Sequence, residues 1–251
     1  MTQTTPALFL STDRKVTTLA TASANAVIAN AFGLVSGLSG SCPGATSVCE
    51  SVCYAGKIER QYKAVLSRMT TNLDILRAMD EDAMVEALSV VVQSFVDASN
   101  KRGSALRFRI HHDGDFFSTE YANAWARVCN AFPTVAFWVY TRSFVAPVNV
   151  IPFIVDIPNL AVYLSVDEDN KDEAAIVLAA FPGVKVAALG KTWADAQAIV
   201  EYVRGNAKPV AKCPELTKAL PLISAEKGGA CNACGLCTFA RADIRFASSR
   251  K

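Results

Sequence analysis

The spacing of apolar residues along the middle of the chain alternates between a helical period and short apolar runs. Residues 59–79 carry Tyr62, Leu66, Leu73 and Leu76 at helical spacing, which predicts an amphipathic helix. The apolar runs that follow are separated by helical segments, a pattern typical of parallel strands in βαβ units. The predicted strands are 106–110, 135–140, 160–166, 184–189 and 244–246, with a further segment near 27–35.

Polar residues mark where the predicted helices begin. The acidic residues 80–82 open a second helix, because negative side chains are favourable at the positive end of the helix dipole. Ser118 is the predicted N-cap of the next helix, and a short helix is predicted over 171–180. Thr192 and Asp195 have the spacing of a capping box, which predicts a further helix start.

These segments predict an α/β fold with a parallel sheet of about five or six strands, as a partial or distorted (β/α) barrel. An open, doubly wound sheet is the alternative. No internal repeat or linker divides the chain, so we predict one α/β domain over residues 1–251. Residues 206–251 are rich in Gly and Cys and poor in helical pattern, which predicts a Cys-rich, metal-bound C-terminal lobe.

Composition restricts the class of protein more than its activity. Hydrophobic residues make up 51% of the chain and charged residues 19%, which is enough apolar material for a substantial core. The net charge of +2 does not indicate a nucleic-acid surface, although a local basic patch is compatible with it. The most apolar window, 143–166, is interrupted by three prolines, and the N-terminus does not resemble a secretory signal. We therefore predict a soluble, cytoplasmic protein without membrane contact.

Seven of the eight cysteines fall in two groups whose spacing is typical of metal ligands. We call these groups the cysteine triad, Cys42, Cys49 and Cys53, and the cysteine quartet, Cys213, Cys231, Cys234 and Cys237. The triad has the spacing C-x6-C-x3-C, and the quartet has C-x17-C-x2-C-x2-C, with proline after its first cysteine. A C-x2-C-x2-C run with a remote Cys-Pro is the ligand pattern of ferredoxin-type iron–sulfur clusters. A disulfide framework is the alternative, although it belongs to short secreted chains.

The two groups predict one or two [4Fe–4S] clusters. The quartet supplies the full complement of thiolates for one cluster, and a zinc site is the alternative. The triad would leave one iron open to a substrate or water, as in catalytic metal sites. Alternatively, His111, His112, Asp113 or Asp115 closes that position, or the triad and the quartet share one site.

The sequence from His111 to Ser118 follows a predicted strand directly and holds both histidines of the chain. In parallel α/β folds, the loops after the strands form the functional face. His111, Asp113, Asp115 and Arg142, which follows the next strand, are therefore the candidate catalytic residues. The alternative is an ordinary loop whose Asp residues cap a helix and whose histidines face solvent or the core.

Other charged residues have two interpretations. Asp167 and Lys191 follow later strands and would either line the same polar pocket or be solvated charges. Arg107 and Arg109 share one face of their strand, so they are anion-binding candidates if that face points into a barrel and surface arginines otherwise. Cys129 lies among apolar residues of a predicted helix and is interpreted as a buried thiol.

Four blocks of the chain, in order, resemble the phage "gene product 88" family: SGLSGSCPGATSVCESVCYAGK, RIHHDGDFFSTEYANAWARV, FWVYTRS and CP…CNACGLC. The resemblance covers roughly Ser36 to Cys237, and the seven clustered cysteines and Asp115 match family positions. It implies an iron–sulfur-type cysteine set on an α/β scaffold, encoded by a phage and located in the host cytoplasm. The triad is also similar to the cysteine loop of radical S-adenosylmethionine enzymes, although these use C-x3-C-x2-C.

These observations predict a soluble iron–sulfur protein with redox or open-iron chemistry. Its partner would be a small molecule or a redox protein of unknown identity. The alternatives are a zinc-stabilised nucleic-acid-binding protein, which the modest net charge does not indicate, and a non-catalytic protein that transfers electrons or carries a cluster.

Overall fold

The fold, seen in a computed structural model, is described for residues 7–18, 27–205, 208–224 and 226–248. The strands are β1 Ala31–Gly33, β2 Arg107–Asp113, β3 Ala136–Thr141, β4 Leu160–Val166, β5 Lys185–Gly190, β6 Ala211–Lys212, β7 Ile223–Ser224, β8 Gly228–Gly229 and β9 Ile244–Ala247. Seven of them form one sheet in the order β1-β2-β3-β4-β5-β9-β6, with every neighbouring pair parallel. The strands β7 and β8 form a separate antiparallel hairpin.

Helices follow most strands, as expected for a parallel sheet. They are α1 Ser47–Val52, α2 Tyr54–Gln61, α3 Lys63–Arg77, α4 Glu81–Lys101, α5 Thr119–Ala131, α6 Ile151–Ile154, α7 Lys171–Ala180, α8 Trp193–Arg204 and α9 Ala230–Cys234. A 3₁₀ turn spans Arg14–Val16. None of the described helices is long and apolar enough to cross a membrane.

The two faces of the sheet are buried in different ways. Phe108 and Phe137 point toward the helices and belong to the large core that these form with the sheet. Because side chains alternate along a strand, the intervening residues point to the opposite face. That face, which we call the inner face, carries Trp138 and Tyr163, and Leu236 from the C-terminal segment packs against it.

The structure confirms the predicted α/β fold and its parallel sheet. The strand 160–166 and the helix 171–180 have the predicted bounds, and the segments near 27–35 and 244–246 each contribute a strand. The capping box of α8 is also formed. In the described part of the chain, β1 and β6 are the two edges of the sheet and do not pair with each other, so the predicted barrel is not confirmed.

Two predicted elements have different bounds. The helix predicted over 59–79 is interrupted at Tyr62, which has an extended backbone between α2 and α3. The interruption separates α2 from α3. On α2, Glu59 accepts hydrogen bonds from the backbone N–H and the hydroxyl of Ser36. The strand predicted to end at Ile110 continues through Asp113, because β1 and β2 remain paired beyond a register shift.

The C-terminal segment is joined to the sheet through β9, which lies between β5 and β6. Its cysteines are free thiols, and within the described ranges no group of three or more His, Cys, Asp or Glu side chains is arranged to hold a metal ion. The metal-bound character of this lobe is therefore not supported by the fold. The division into one domain over 1–251 with a lobe over 206–251 stays a prediction.

Candidate functional site

The cysteine triad lies in the segment that follows β1, around the short helix α1. Thr46 caps this helix, and its hydroxyl accepts the backbone N–H of Cys49 at 3.0 Å. The Cys53 thiol accepts the N–H of Gly56 at 3.4 Å and so caps α2. Cys49 and Cys53 act electrostatically on their neighbours in the triad, Cys42 and Cys49 respectively. No three of these side chains are arranged to hold a metal ion in the part of the chain that the structure describes, so the convergence of the triad stays a prediction.

A buried polar network ties the triad to the ends of three strands. The carboxylate of Asp115 accepts the Thr141 hydroxyl and the Arg142 backbone N–H, each at 2.7 Å. The Arg142 guanidinium donates to Asp167 at 2.6 Å, and the Thr46 hydroxyl donates to the same Asp167 oxygen at 2.6 Å. We call these residues, Asp115, Thr141, Arg142, Asp167 and Thr46, the strand-end network. It fixes α1 against the carboxyl edge of the sheet.

A close backbone approach holds the triad segment on the strand-end network. A Cβ atom at Gly44 would lie 1.9 Å from the carbonyl oxygen of Arg142, so only glycine fits between them. Sequence inspection recognised the cysteines of this segment but missed Thr46. Its position three residues before Cys49 is the N-cap spacing that could have revealed it.

Burial keeps two of the triad thiols, Cys42 and Cys49, protonated. Burial raises the pKa of Cys42 well above its usual range, and the charge of Asp115 adds to the effect. Burial also raises the pKa of Cys49, although the positive charge of Arg142 opposes the shift. Burial raises the pKa of Asp115 to about 6. Thiolate binding of a metal here would therefore release protons.

Two members of the cysteine quartet, Cys213 and Cys237, pack against the inner face of the sheet. Cys231 and Cys234 lie on α9, and the left-handed backbone of Gly235 turns the chain so that Cys237 follows closely. The Cys213 backbone N–H donates to the carbonyl of Arg245, which places it beside β9. Cys237 is the member of the quartet that interacts electrostatically with each of the other three cysteines.

The electrostatics of the quartet resemble those of the triad, with one added donor. Burial raises the pKa of Cys231 to about 12 and that of Cys237 to about 11. A hydrogen bond between the Tyr140 hydroxyl and the Cys237 thiol lowers the pKa of Cys237 in part. Tyr163 reinforces this turn, because its hydroxyl bonds to the carbonyls of Leu236 and Ala242 at 3.1 and 3.0 Å.

Arg109, on β2, is a buried arginine whose charge acts on the quartet. Its guanidinium donates to Asp13 at 2.6 Å and lies over the Tyr140 ring at 5.5 Å. Its charge acts on Cys231 at the quartet and on Tyr54, the residue that follows Cys53. Tyr54 exposes 50% of its surface, but its hydroxyl reaches inward and donates to the carbonyl of His112. Arg109 is thus a positive charge that acts on the quartet, whereas Arg142 is the positive charge that acts on the triad thiol Cys49.

The four candidate catalytic residues separate into three environments. Asp115 and Arg142 are brought together in the strand-end network. Asp113 is buried on its own, and neither of its carboxylate oxygens has a hydrogen-bond partner among the described residues. His111 points toward the helices, with its Nε2 3.0 Å from the Tyr121 hydroxyl and its ring edge-on to Phe116. A catalytic role for these residues stays a prediction.

The separation has a backbone cause. His111 has a positive φ of 56°, a rare conformation for a residue with a side chain, and it coincides with the register shift between β1 and β2. The shift directs His111 into the helical layer and Asp113 away from it. Burial raises the pKa of Asp113, and the Nε2 atom of His112 lies 3.4 Å from its carboxylate. Asp113 is therefore a buried carboxylate that contacts His112 but has no hydrogen-bond partner in the described part of the chain, and such groups often mark a binding site.

Replacing His111 with phenylalanine should make the free energy of unfolding depend less on pH between 6.5 and about 3. Burial lowers the pKa of His111 to about 3, whereas an unfolded histidine titrates near 6.5. The unfolded state thus binds more protons between these values, and stability is lost as the pH falls from 6.5 toward 3. The loss should be about 1.4 kcal/mol per pH unit in the wild type. Urea denaturation at several pH values would measure it. An identical slope in His111→Phe would contradict the buried, neutral imidazole.

Comparisons with known proteins agree with one another. The family described as Gene product 88 matches residues 7–240. The chain is 43% identical to the Gene 88 protein of Mycobacterium phage L5 over 246 residues, which cover 96% of this chain and 98% of that protein. It is 41% identical to the Gene 88 protein of Mycobacterium phage D29 with the same coverage. No solved structure matches the chain. The family resemblance predicted from the sequence blocks is thereby confirmed, and the chain belongs to the Gene product 88 family.

Proposed function

We propose that this protein binds iron–sulfur clusters and that the cysteine quartet holds one [4Fe–4S] cluster. The observation that carries the proposal is the set of four free, half-buried thiols, of which Cys213 and Cys237 pack against the inner face of the sheet and Cys237 interacts electrostatically with the other three. Four thiolates are the complement that such a cluster requires. The chemistry of this donor set therefore fits the group that the sequence pattern predicts.

The surroundings of the quartet also suit a cluster. Each thiolate of a [4Fe–4S] cluster binds a different iron, so the four sulfurs need not converge on a single point. The Tyr140 hydroxyl supplies a hydrogen bond to the Cys237 sulfur. Such bonds, with burial, help to set the reduction potential of a cluster. A bound cluster would supply one-electron transfer at this position.

We also propose that the cysteine triad holds a second cluster. Three cysteines would leave one iron open to a substrate, which is the feature shared in general form with radical S-adenosylmethionine enzymes. Asp115 is a poor candidate for closing that position, because both of its oxygens already accept hydrogen bonds. Both ring nitrogens of His112 have neighbours as well, since Nδ1 lies 3.1 Å from the carbonyl of Phe32 and Nε2 lies 3.4 Å from the Asp113 carboxylate.

The space between the two cysteine groups is where we expect a small-molecule substrate. Asp113 offers two carboxylate oxygens, and the Nε of Arg109 is likewise buried without a partner in the described part of the chain. A substrate bound there would accept a hydrogen bond from Arg109, donate to Asp113 and lie near Tyr54. The proposed activity is redox chemistry on such a molecule, in the cytoplasm of an infected cell, because the relatives are phage proteins.

Anaerobic purification with iron, sulfide and zinc analysis tests the proposal. We expect a brown protein with broad absorption and about eight irons per chain if both groups hold clusters, or about four if only the quartet does. Replacing Cys42 with serine should remove about four irons from an eight-iron protein and leave the quartet cluster. A colourless protein that carries zinc after anaerobic purification would contradict the proposal and favour a zinc-stabilised binding protein.

A further inference from the structure

An arginine–phenylalanine–arginine arrangement lies beyond the quartet, on residues that the proposed function does not use. The guanidinium carbons of Arg107 and Arg241 each lie 5.1 Å from the centre of the Phe239 ring. Phe239 exposes 43% of its surface although it is a large aromatic residue. Contacts between guanidinium groups and aromatic rings hold cations in a defined place at a surface.

The two guanidinium groups repel each other without an acid to compensate. Arg107 donates to the carbonyl and the side-chain oxygen of Asn232 at 2.7 and 2.6 Å, which are neutral acceptors. Neither arginine forms an ion pair with any residue that the structure describes. Burial and the positive charge of Arg241 both lower the pKa of Arg107. A bound anion would relieve this repulsion.

A cleft opens beside the same aromatic ring. It has a volume of about 320 Å³ and is lined by residues 133–136, 158–161 and 238–240. The first two segments lead into β3 and β4, so the cleft lies at the amino edge of the sheet, opposite to the strand-end network. Pro133, Val135 and Leu160 give its wall an apolar character. Sites for small organic ligands begin at about this volume.

We propose that this cleft binds a phosphate-bearing ligand of the size of a mononucleotide. Neither arginine lines the cleft itself, so the phosphate would lie at its rim beside Phe239, where both guanidinium groups are held. Arg241 and Arg107 would neutralise it there, because guanidinium groups match phosphate oxygens in charge and geometry. The planar base would lie against the apolar wall of the cleft. The site is independent of the cysteines, since none of them lines the cleft.

Titration calorimetry with adenosine monophosphate on the anaerobically purified protein tests the site. Arg241→Ala should weaken binding about tenfold or more, because a hydrogen bond to a charged group is lost. Arg68→Ala is the matched control, because Arg68 also lies over an aromatic ring, that of Phe9 at 5.7 Å. Its replacement removes one positive charge from a different part of the surface. It should leave the affinity unchanged.

Further measurements show which part of the ligand is recognised, and a conservative variant distinguishes a lost contact from a folding defect. Inorganic phosphate should compete weakly and adenosine alone should bind weakly, because each lacks one half of the recognised structure. Arg107→Lys keeps the charge and should still weaken binding, since lysine cannot reproduce the planar contact with Phe239. Absence of binding, or an equal loss in Arg68→Ala and Arg241→Ala, would overturn the proposal. Iron content should be equal in Arg241→Ala and Arg68→Ala, so the outcome of that comparison is separate from that of the cluster proposal, whereas Arg107 also bonds to Asn232 of the quartet helix α9.

Discussion

Replacing Cys234 with serine should remove the cluster from the quartet. We expect the iron content to fall by about four atoms per chain and the corresponding absorption to disappear, because each iron of a [4Fe–4S] cluster needs its own strong ligand. Burial raises the pKa of the neighbouring Cys231 and Cys237, so the remaining thiols would return to the protonated state. Iron and sulfide analysis of anaerobically purified protein, with its visible spectrum, would measure the loss.

Cys129 provides the control for this experiment. It is the eighth cysteine and lies fully buried in the core between the sheet and the helices, where it contacts neither cysteine group. Cys129→Ala removes a thiol at the cost of a small cavity and should keep the full iron content. If Cys234→Ser kept its iron and its thermal stability while Cys129→Ala behaved in the same way, the quartet would not be a cluster site.

Replacing Asp167 with asparagine should destabilise the fold by about 3–5 kcal/mol, because it leaves a buried guanidinium without its counter-charge. The Asp167 side chain is inaccessible to solvent and that of Arg142 is 7% exposed. The same substitution weakens the hydrogen bond from Thr46, the residue that caps the first cysteine helix. Urea denaturation would measure the change in the free energy of unfolding.

Asp82 serves as the control for the strand-end network. It also pairs with an arginine, Arg127, but the Asp82 side chain is 86% exposed and water screens the pair. Asp82→Asn should therefore cost less than about 1 kcal/mol, because it removes only a screened pair and one charge at the helix start. Equal effects of the two substitutions would show that the interaction between Asp167 and Arg142 contributes no more than a surface contact.

Local sequence patterns were sufficient to predict most of the fold. Ser118 and Thr192 begin helices as predicted, since N-caps act through their own next turn. The strand 160–166 is buried along nearly its whole length, so its continuous apolar run identified it without ambiguity. Six of the seven clustered cysteines were recognisable because they lie close to one another in sequence, whereas their gathering around a metal centre stays a prediction.

Features that depend on distant residues could not be predicted in the same way. Nothing near Asp115 in sequence indicates that it accepts the backbone N–H of Arg142, a contact that the pairing of β2 with β3 creates. The positive φ of His111 arises where β1 and β2 change register, so the orientation of its ring depends on two strands at once. Asp13, which neutralises Arg109, lies far from it in the chain, and no sequence motif around Asp13 indicates this pairing.

The position of β9 has a consequence for the order in which the molecule is assembled. This strand follows β6 in the chain, yet it lies between β5 and β6, and β6 has no other neighbour in the described sheet. On a ribosome, the strands β1 to β5 and their helices can pack while the rest of the chain is still being synthesised. Residues 211–212 must wait for residues 244–247 before they can pair. Trp138 and Tyr163 therefore remain uncovered during this interval, and the quartet is brought together only when synthesis has passed the strand that follows it.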